Sequence, residues 1–168
     1  VYNHAATLRQ VVECVLKHHD RVLVVDDGST DGCIDAVKDL SIDILQHAGN
    51  RGKGAALKSA AQWGLERGMS HMISLDADGQ HDPGDLPEFL AAIAETPQAL
   101  IVGHRNFDQD SIPGSSRFGR QFSNFWLRLQ TGSQLKDTQS DFRAYPFLIF
   151  KRLNFWTNRY NFEIEVLV

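Results

Sequence analysis

The feature that most constrains this chain is a short apolar run, Val22-Leu23-Val24-Val25, that ends abruptly at Asp26-Asp27-Gly28-Ser29-Thr30-Asp31. A run this brief, β-branched and bounded by polar residues, reads as a buried strand rather than a helix. The acidic, glycine-containing segment after it reads as a loop. The same device recurs at residues 71–75, a second strand closed by Asp76-Ala77-Asp78-Gly79. Helical spacing fills the intervals. Leu8, Val11, Val12, Val15 and Leu16 predict an amphipathic helix over 5–18, a short helix is expected over 34–40, and a short strand over 42–45. An Ala-rich helix over 55–67 closes with Gly68 as its C′ residue. Pro83 or Asp85 starts a helix to Glu95, and 100–102 is a further buried strand. Strands alternating with helices predict an α/β fold with a mostly parallel sheet flanked by helices. In such sheets ligands sit beyond the C-terminal ends of the strands, and both acidic loops fall there.

Composition narrows the function classes. The 168 residues fit one domain, and 17 Lys plus Arg against 21 Asp plus Glu gives a net charge of −4. A nucleic-acid binder usually shows the opposite balance, so no nucleic-acid partner is expected. No apolar run approaches the ~18–20 residues that span a bilayer. Cys14 and Cys33 have neither CxxC spacing nor zinc-type partners, which points to a reducing compartment.

Three segments carry chemistry. Asp76-Ala77-Asp78 places two carboxylates at a strand end, where hard oxygen donors suit Mg²⁺ or Mn²⁺ completed by substrate phosphates. Gln80 and His81 lie close enough to join them. An EF-hand is excluded, because His81 and Pro87 stand where its glycine and glutamate belong. In the 26–31 loop a carboxylate could accept from a base N–H or a ribose hydroxyl. Equally, Ser29 or Thr30 could simply cap the next helix. Asn50-Arg51-Gly52-Lys53-Gly54 matches neither a P-loop nor G-x-G-x-x-G. Lys53 at a helix N-terminus could face phosphate or be a surface lysine. Phe118, Phe122, Phe125, Trp126 and Leu129 share a helical face over 118–129, expected as core with a membrane-lying alternative. His18, His19, His47 and His71 read as surface or cap residues, and Cys14 as a small buried apolar group.

Taken in order, these segments resemble the family 2 glycosyltransferases of the GT-A fold, in the branch of dolichyl-phosphate mannose synthase and related polyprenyl-phosphate glycosyltransferases. Val1-Tyr2-Asn3 resembles the family's Pro-x-Tyr-Asn opening, 26–31 its DDGSxD, and 50–54 its N-x-G-K-G loop. Asp76–Gln80 is similar to its DADGQ motif. Asp137-Thr138-Gln139-Ser140-Asp141-Phe142-Arg143 is similar to its D-x-Q-S-G-F-R segment. Two positions depart: His4 stands where Glu is usual, and Asp141 where Gly is usual.

The resemblance implies a metal-dependent, inverting transfer of a hexosyl group from a UDP- or GDP-sugar to an acceptor, polyprenyl phosphate first. It implies donor contacts from Tyr2, Asp27, Lys53, Asp76 and Ala77, and Mg²⁺ or Mn²⁺ held by Asp76, Asp78 and Gln80. Asp137 and Asp78 are the implied catalytic residues, and Arg105, with Arg117 and Arg120, the implied grip on the acceptor phosphate. Glu163 and Glu165 lie where the family often has acidic residues near the active site. A saccharide hydroxyl acceptor, or a sugar-nucleotidyltransferase, is the alternative; a D-x-D-G phosphatase and a non-enzymatic sugar-nucleotide binder are weaker rivals. A cytoplasmic location is expected, with contact at the inner face of a membrane left open. The 1–168 stretch is expected to be one catalytic domain lacking its first strand and its C-terminal part.

Overall fold

In the computed structural model, residues 1–103 and 141–152 are described. Helix α1 (Leu8–Val15) buries Leu8, Val11 and Val12 on one face, the i, i+3, i+4 set its sequence prescribes. Strands β1 (Leu23–Asp26) and β2 (Asp43–Gln46) pair in parallel, with Leu23 opposite Asp43 and Asp26 opposite Gln46. Between them a 3₁₀ turn at Cys33–Ala36 replaces most of the expected short helix. Leu8, Val12, Val24, Cys33 and Val37 form the core under this half.

Helix α2 (Lys53–Glu66) buries Gly54, Ala55, Leu57, Ala61 and Gly64. These small residues permit close packing, and at Gly64 an added Cβ would lie 2.6 Å from Phe147 Cζ. The helix ends at Gly68, whose φ of +70° provides the left-handed stop read from the sequence. Strand β3 (His71–Ser74), a 3₁₀ turn at Pro83–Asp85, α3 (Leu86–Glu95) and β4 (Ile101–Val102) follow. Asp82 caps the turn by accepting from the Gly84 N–H at 2.8 Å.

Strand β5 (Arg143–Pro146) and α4 (Phe147–Arg152) complete the described elements. β5 lies between β3 and β4 and is antiparallel to both. β3 and β4 therefore run in the same direction with one reversed strand between them. The parallel pairing read from the sequence holds for β1 with β2 and for the shared direction of β3 and β4, while β3, β5 and β4 form a separate three-stranded sheet whose two pairings are antiparallel. Every residue of β5 is buried, and Phe142 just before it stacks on Phe89 with ring centroids 4.2 Å apart.

Val1 adds to the edge of β1, its backbone nitrogen donating to Val25 O and its carbonyl accepting from the Asp27 N–H. Beside it a cavity of about 590 Å³ is lined by Leu23 and Val25 from β1, Ile73 and Leu75 on the β3 side, and Leu57 and Trp63 of α2.

Candidate functional site

The strands deliver two acidic loops to one edge, and the first is closed by internal hydrogen bonds. Asp26 accepts from the Ser29 N–H at 2.9 Å and from Gln46 Nε2 at 3.1 Å. Burial pulls its carboxyl upward, but those bonds outweigh it and leave the group below its usual value. Asp27, 4% exposed, accepts from His47 Nδ1 at 2.6 Å, from the Arg51 N–H at 3.0 Å and from the Gly52 N–H at 2.7 Å. The 49–54 segment is thus tied to the end of β1. Gly28 makes this approach possible: its φ is +78°, and a Cβ there would stand 2.5 Å from Gly49 Cα.

The N-terminal segment crosses both loops. The Asn3 N–H donates to Ser29 Oγ at 3.0 Å and Asn3 Oδ1 accepts from the Thr30 N–H at 2.9 Å. The Ala5 N–H donates to Asp31 Oδ2 at 2.8 Å, and Thr7 Oγ1 donates to the Ala77 carbonyl. Asn3 adopts a φ of 57°, a left-handed conformation that Asn tolerates better than most residues.

The second loop is built around an ammonium group. Lys53, in the first turn of α2, places Nζ 2.8 Å from Asp76 Oδ1 and 2.8 Å from Asp141 Oδ2. The Asp141 backbone is itself held by Ser74 Oγ, which donates to its carbonyl at 2.9 Å. Burial pushes the Asp76 carboxyl above its usual value, and Lys53 opposes that shift. Asp78 accepts from the Gln80 N–H at 2.9 Å. Among the described residues no cluster of three or more His, Cys, Asp or Glu could hold a metal ion. Asp76 and Asp78 still fit Mg²⁺ or Mn²⁺ by donor chemistry, because such ions take one or two carboxylates and fill the remaining positions with phosphate and water.

Residues 1–157 match the family model for glycosyl transferase family 2. The chain belongs to that family. This glycosyl transferase family 2 chain is 34% identical over 132 residues to the undecaprenyl-phosphate mannosyltransferase of Micrococcus luteus, covering 74% of this chain and 54% of that protein. It is 28% identical over 166 residues to the polyprenol monophosphomannose synthase of Mycolicibacterium smegmatis, covering 91% and 62%. The chain therefore spans between about half and two thirds of the length of these curated relatives. Among solved structures, the Mycobacterium tuberculosis glucosyl-3-phosphoglycerate synthase in complex with Mn²⁺ and UDP-glucose superposes with a TM-score of 0.76 at 20% identity. That match covers 99% of this chain and 60% of the other. The fold is GT-A, as the motif order predicts.

In this family 2 chain the predicted donor and metal residues fall into distinct surroundings. Lys53, Asp76 and Ala77 converge: Lys53 is bonded to Asp76 rather than lying free on the surface, and the Ala77 carbonyl is held by Thr7. Gln80 is exposed beside Asp78. Tyr2 is 45% exposed. Arg105, Arg117, Arg120 and Asp137, the aromatic helix over 118–129, and Glu163 and Glu165 lie outside the described residues. His47 corrects the expectation of a surface or cap role. It is buried, with Nδ1 on Asp27 and Nε2 2.9 Å from Ser59 Oγ. The signal for it lay in the strands: parallel pairing of Asp26 with Gln46 brings the following residues, Asp27 and His47, side by side. Asp141, which the sequence marks only as a departure, joins the lysine cluster. No helix among the described residues is long and apolar enough to cross a membrane.

Proposed function

We propose that residues 1–168 belong to one catalytic domain of a metal-dependent, inverting hexosyltransferase that uses a UDP- or GDP-sugar and polyprenyl phosphate. The observation that carries this reading is the Asp76–Lys53 pair with Asp78 two residues beyond Asp76, on the loop whose Ala77 carbonyl Thr7 holds. Two carboxylates and an ammonium group at one strand end suit a diphosphate and its counter-ion. Tyr2 and Asp27 flank the base and ribose, Lys53 meets the diphosphate beside Ala77, and Asp76, Asp78 and Gln80 hold Mg²⁺ or Mn²⁺. The ion, when bound, offsets the charge that develops on the departing diphosphate.

The acceptor oxygen forms a bond to the anomeric carbon as the bond from that carbon to the diphosphate breaks, its electron pair leaving with the nucleoside diphosphate. A phosphate monoester acceptor is ionised near neutral pH and gives up no proton in the step. Arg105, Arg117 and Arg120 suit it, since guanidinium pairs with phosphate in bidentate fashion. A saccharide hydroxyl would instead pass its proton to Asp137. Two similarities support the lipid acceptor: the Micrococcus relative is an undecaprenyl-phosphate mannosyltransferase and the Mycolicibacterium relative a polyprenol monophosphomannose synthase. A lipid acceptor places the reaction at a membrane surface, and a cytosolic nucleotide sugar places it on the cytoplasmic face.

The test incubates the protein with UDP- or GDP-hexose, Mn²⁺ and undecaprenyl phosphate in detergent, and follows nucleotide release and lipid-linked sugar together. Nucleoside diphosphate released in step with lipid-linked sugar is expected, with Asp76→Asn and Asp78→Asn each at least about 100-fold slower. A nucleotidyltransferase would instead leave the UDP- or GDP-hexose and the lipid unreacted, and would release pyrophosphate only when given UTP or GTP with a hexose 1-phosphate. Transfer to an added saccharide but not to the lipid assigns the hydroxyl acceptor.

A further inference from the structure

Asp27, His47 and Ser59 form a hydrogen-bonded line that no motif contains. It runs from the end of β1 through the residue after β2 to the second turn of α2, at 2.6 Å and 2.9 Å. Its direction follows from chemistry. Asp27 already accepts from two backbone N–H groups, those of Arg51 and Gly52, so it presents acceptors only. His47 Nδ1 must therefore carry the hydrogen it shares with Asp27. In the neutral ring Nε2 is then an acceptor, and Ser59 Oγ donates to it. The two sides of the imidazole are thereby fixed, and with them the orientation of a carboxylate that touches the 50–54 loop at two successive amides.

We propose that His47 is a positioning residue for nucleotide binding. It holds the Asp27 carboxylate at the angle that shapes the 50–54 loop before the donor arrives, and Ser59 holds His47. This rests on the nucleotide-sugar reading of the site, but its structural half stands apart from that reading. Without the His47 bond, Asp27 keeps both backbone amides yet is free to rotate about them. The loop would then have to be ordered by the donor itself, which weakens donor binding without touching the reacting atoms.

The side chain's two nitrogens make the proposal testable by substitution. The Asn amide nitrogen reaches about where His Nδ1 lies and donates as it does, and the Gln amide oxygen reaches about where Nε2 lies and accepts from Ser59 Oγ as it does. His47→Asn therefore retains the bond to Asp27, whereas His47→Gln retains the one to Ser59. Two readouts are taken on the full chain: amide hydrogen exchange at Arg51 and Gly52 without ligand, and the Kd for UDP and GDP with Mn²⁺. Thermal melting confirms that each variant is folded.

The expected result is exchange at both amides at least about tenfold faster in His47→Ala and His47→Gln, with Kd raised by a similar factor, equivalent to about 1.4 kcal/mol. His47→Asn should stay within about threefold of the parent on both readouts. In turnover the loss should fall on the donor KM and leave kcat unchanged. Equal loss in the Asn and Gln variants, tracking a shared fall in melting temperature, reduces His47 to a packing residue and overturns the proposal. Unchanged exchange in His47→Ala overturns it as well. If the exchange pattern appears but the parent binds neither nucleotide, the loop-shaping role stands, and the nucleotide reading fails along with the binding half of the proposal.

Discussion

Gly28 is the point where the two halves of the site touch, and substituting it separates three effects that glycine positions usually confound. In Gly28→Ala the new Cβ meets Gly49 Cα and Gly49 C at 2.5 Å and Asn50 N at 2.8 Å, all backbone atoms that no rotamer change can move. Ordinary carbon–carbon contact is about 3.5–4.0 Å, so the 49–50 backbone must retreat by about 1 Å. That backbone leads directly into Arg51 and Gly52, whose N–H groups bond Asp27. The left-handed φ of +78° adds about 1–2 kcal/mol for a residue with a side chain. Losing or stretching one bond to a carboxylate adds about 1.5–3 kcal/mol. Together these give about 3–5 kcal/mol, or a fall in Tm of about 6–20 °C for a domain of this size. Two companions isolate the terms. Gly79→Ala carries the left-handed penalty alone, with φ +80° and nothing within 4 Å of its Cβ, so Tm should fall by about 2–8 °C. Gly49→Ala has neither a left-handed φ nor a neighbour within 4 Å, and should be neutral or stabilising by up to about 1 kcal/mol. Melting followed by circular dichroism decides it. If Gly28→Ala and Gly79→Ala lose the same Tm within about 2 °C, loop contact at Gly28 is not what fixes the site.

Two further outcomes follow from the packing and the charges. Gly64→Ala should destabilise by about 1–2 kcal/mol even though Ala is the better helix former by about 1 kcal/mol. The cause is the Phe147 ring 2.6 Å from the new Cβ, so Phe147→Leu in the same chain should recover much of the loss, and a higher Tm for Gly64→Ala alone would refute the contact. Stability should also fall in acid. The bond from the Ala5 N–H holds Asp31 below its usual value, the Arg9 guanidinium does the same for Asp39, and Asp26 is low as well. For carboxyls lowered in the folded state, the stabilisation is present above the unfolded value of about 3.8–3.9 and is lost as pH falls through the folded values. Asp76 is shifted the other way, so its protonation relieves burial rather than adding to the loss. Urea midpoints flat from pH 7 to about 5 and declining below about pH 4 are expected, with a shallower decline in Asp31→Asn; an equally steep decline there would refute the assignment to Asp31.

What the sequence made legible was whatever depends on local pattern. The strands read at 22–25 and 42–45 appear at Leu23–Asp26 and Asp43–Gln46. Both are displaced by one residue in the same direction, because a ladder formed by backbone groups continues through Asp26 and Gln46 regardless of side-chain polarity. Gly68 was legible because a left-handed stop has one favoured residue. β5 was not, since Arg143 and Pro146 argue against a central strand and only non-local pairing with β3 and β4 makes Arg143–Pro146 one. His47 belongs to the same class. Nothing in its neighbours along the chain separates it from His18 or His71, and its burial follows from the register of two strands that the sequence shows only singly. The 26–31 and 76–80 motifs were legible as a set, while the lysine joining Asp76 to Asp141 spans three separate segments.

The geometry also divides labour between the two loops in a way the motifs alone do not. A carboxylate offers about four acceptor positions. Asp27 uses them on His47, on Arg51, which lies within 3.1 Å of both oxygens, and on Gly52. A ribose or base reaching Asp27 would have to share those positions, so under the proposed function its main effect on a nucleotide would be through the loop it shapes. Asp78 differs: among the described residues its carboxylate meets only the Gln80 amide. Asp76 is held by an ammonium group that a diphosphate can draw away from it. Under the proposed function, charge exchange with a ligand would therefore concentrate at Asp76, Asp78 and Lys53, with the more acidic-looking first loop as a rigid wall. In that arrangement Lys53 acts as the resident cation of the second loop, and under the proposed function a divalent ion bound with a diphosphate would exchange one set of opposite charges for another. The Asp76 carboxylate would then be paired in both states, which limits the electrostatic cost of moving between them.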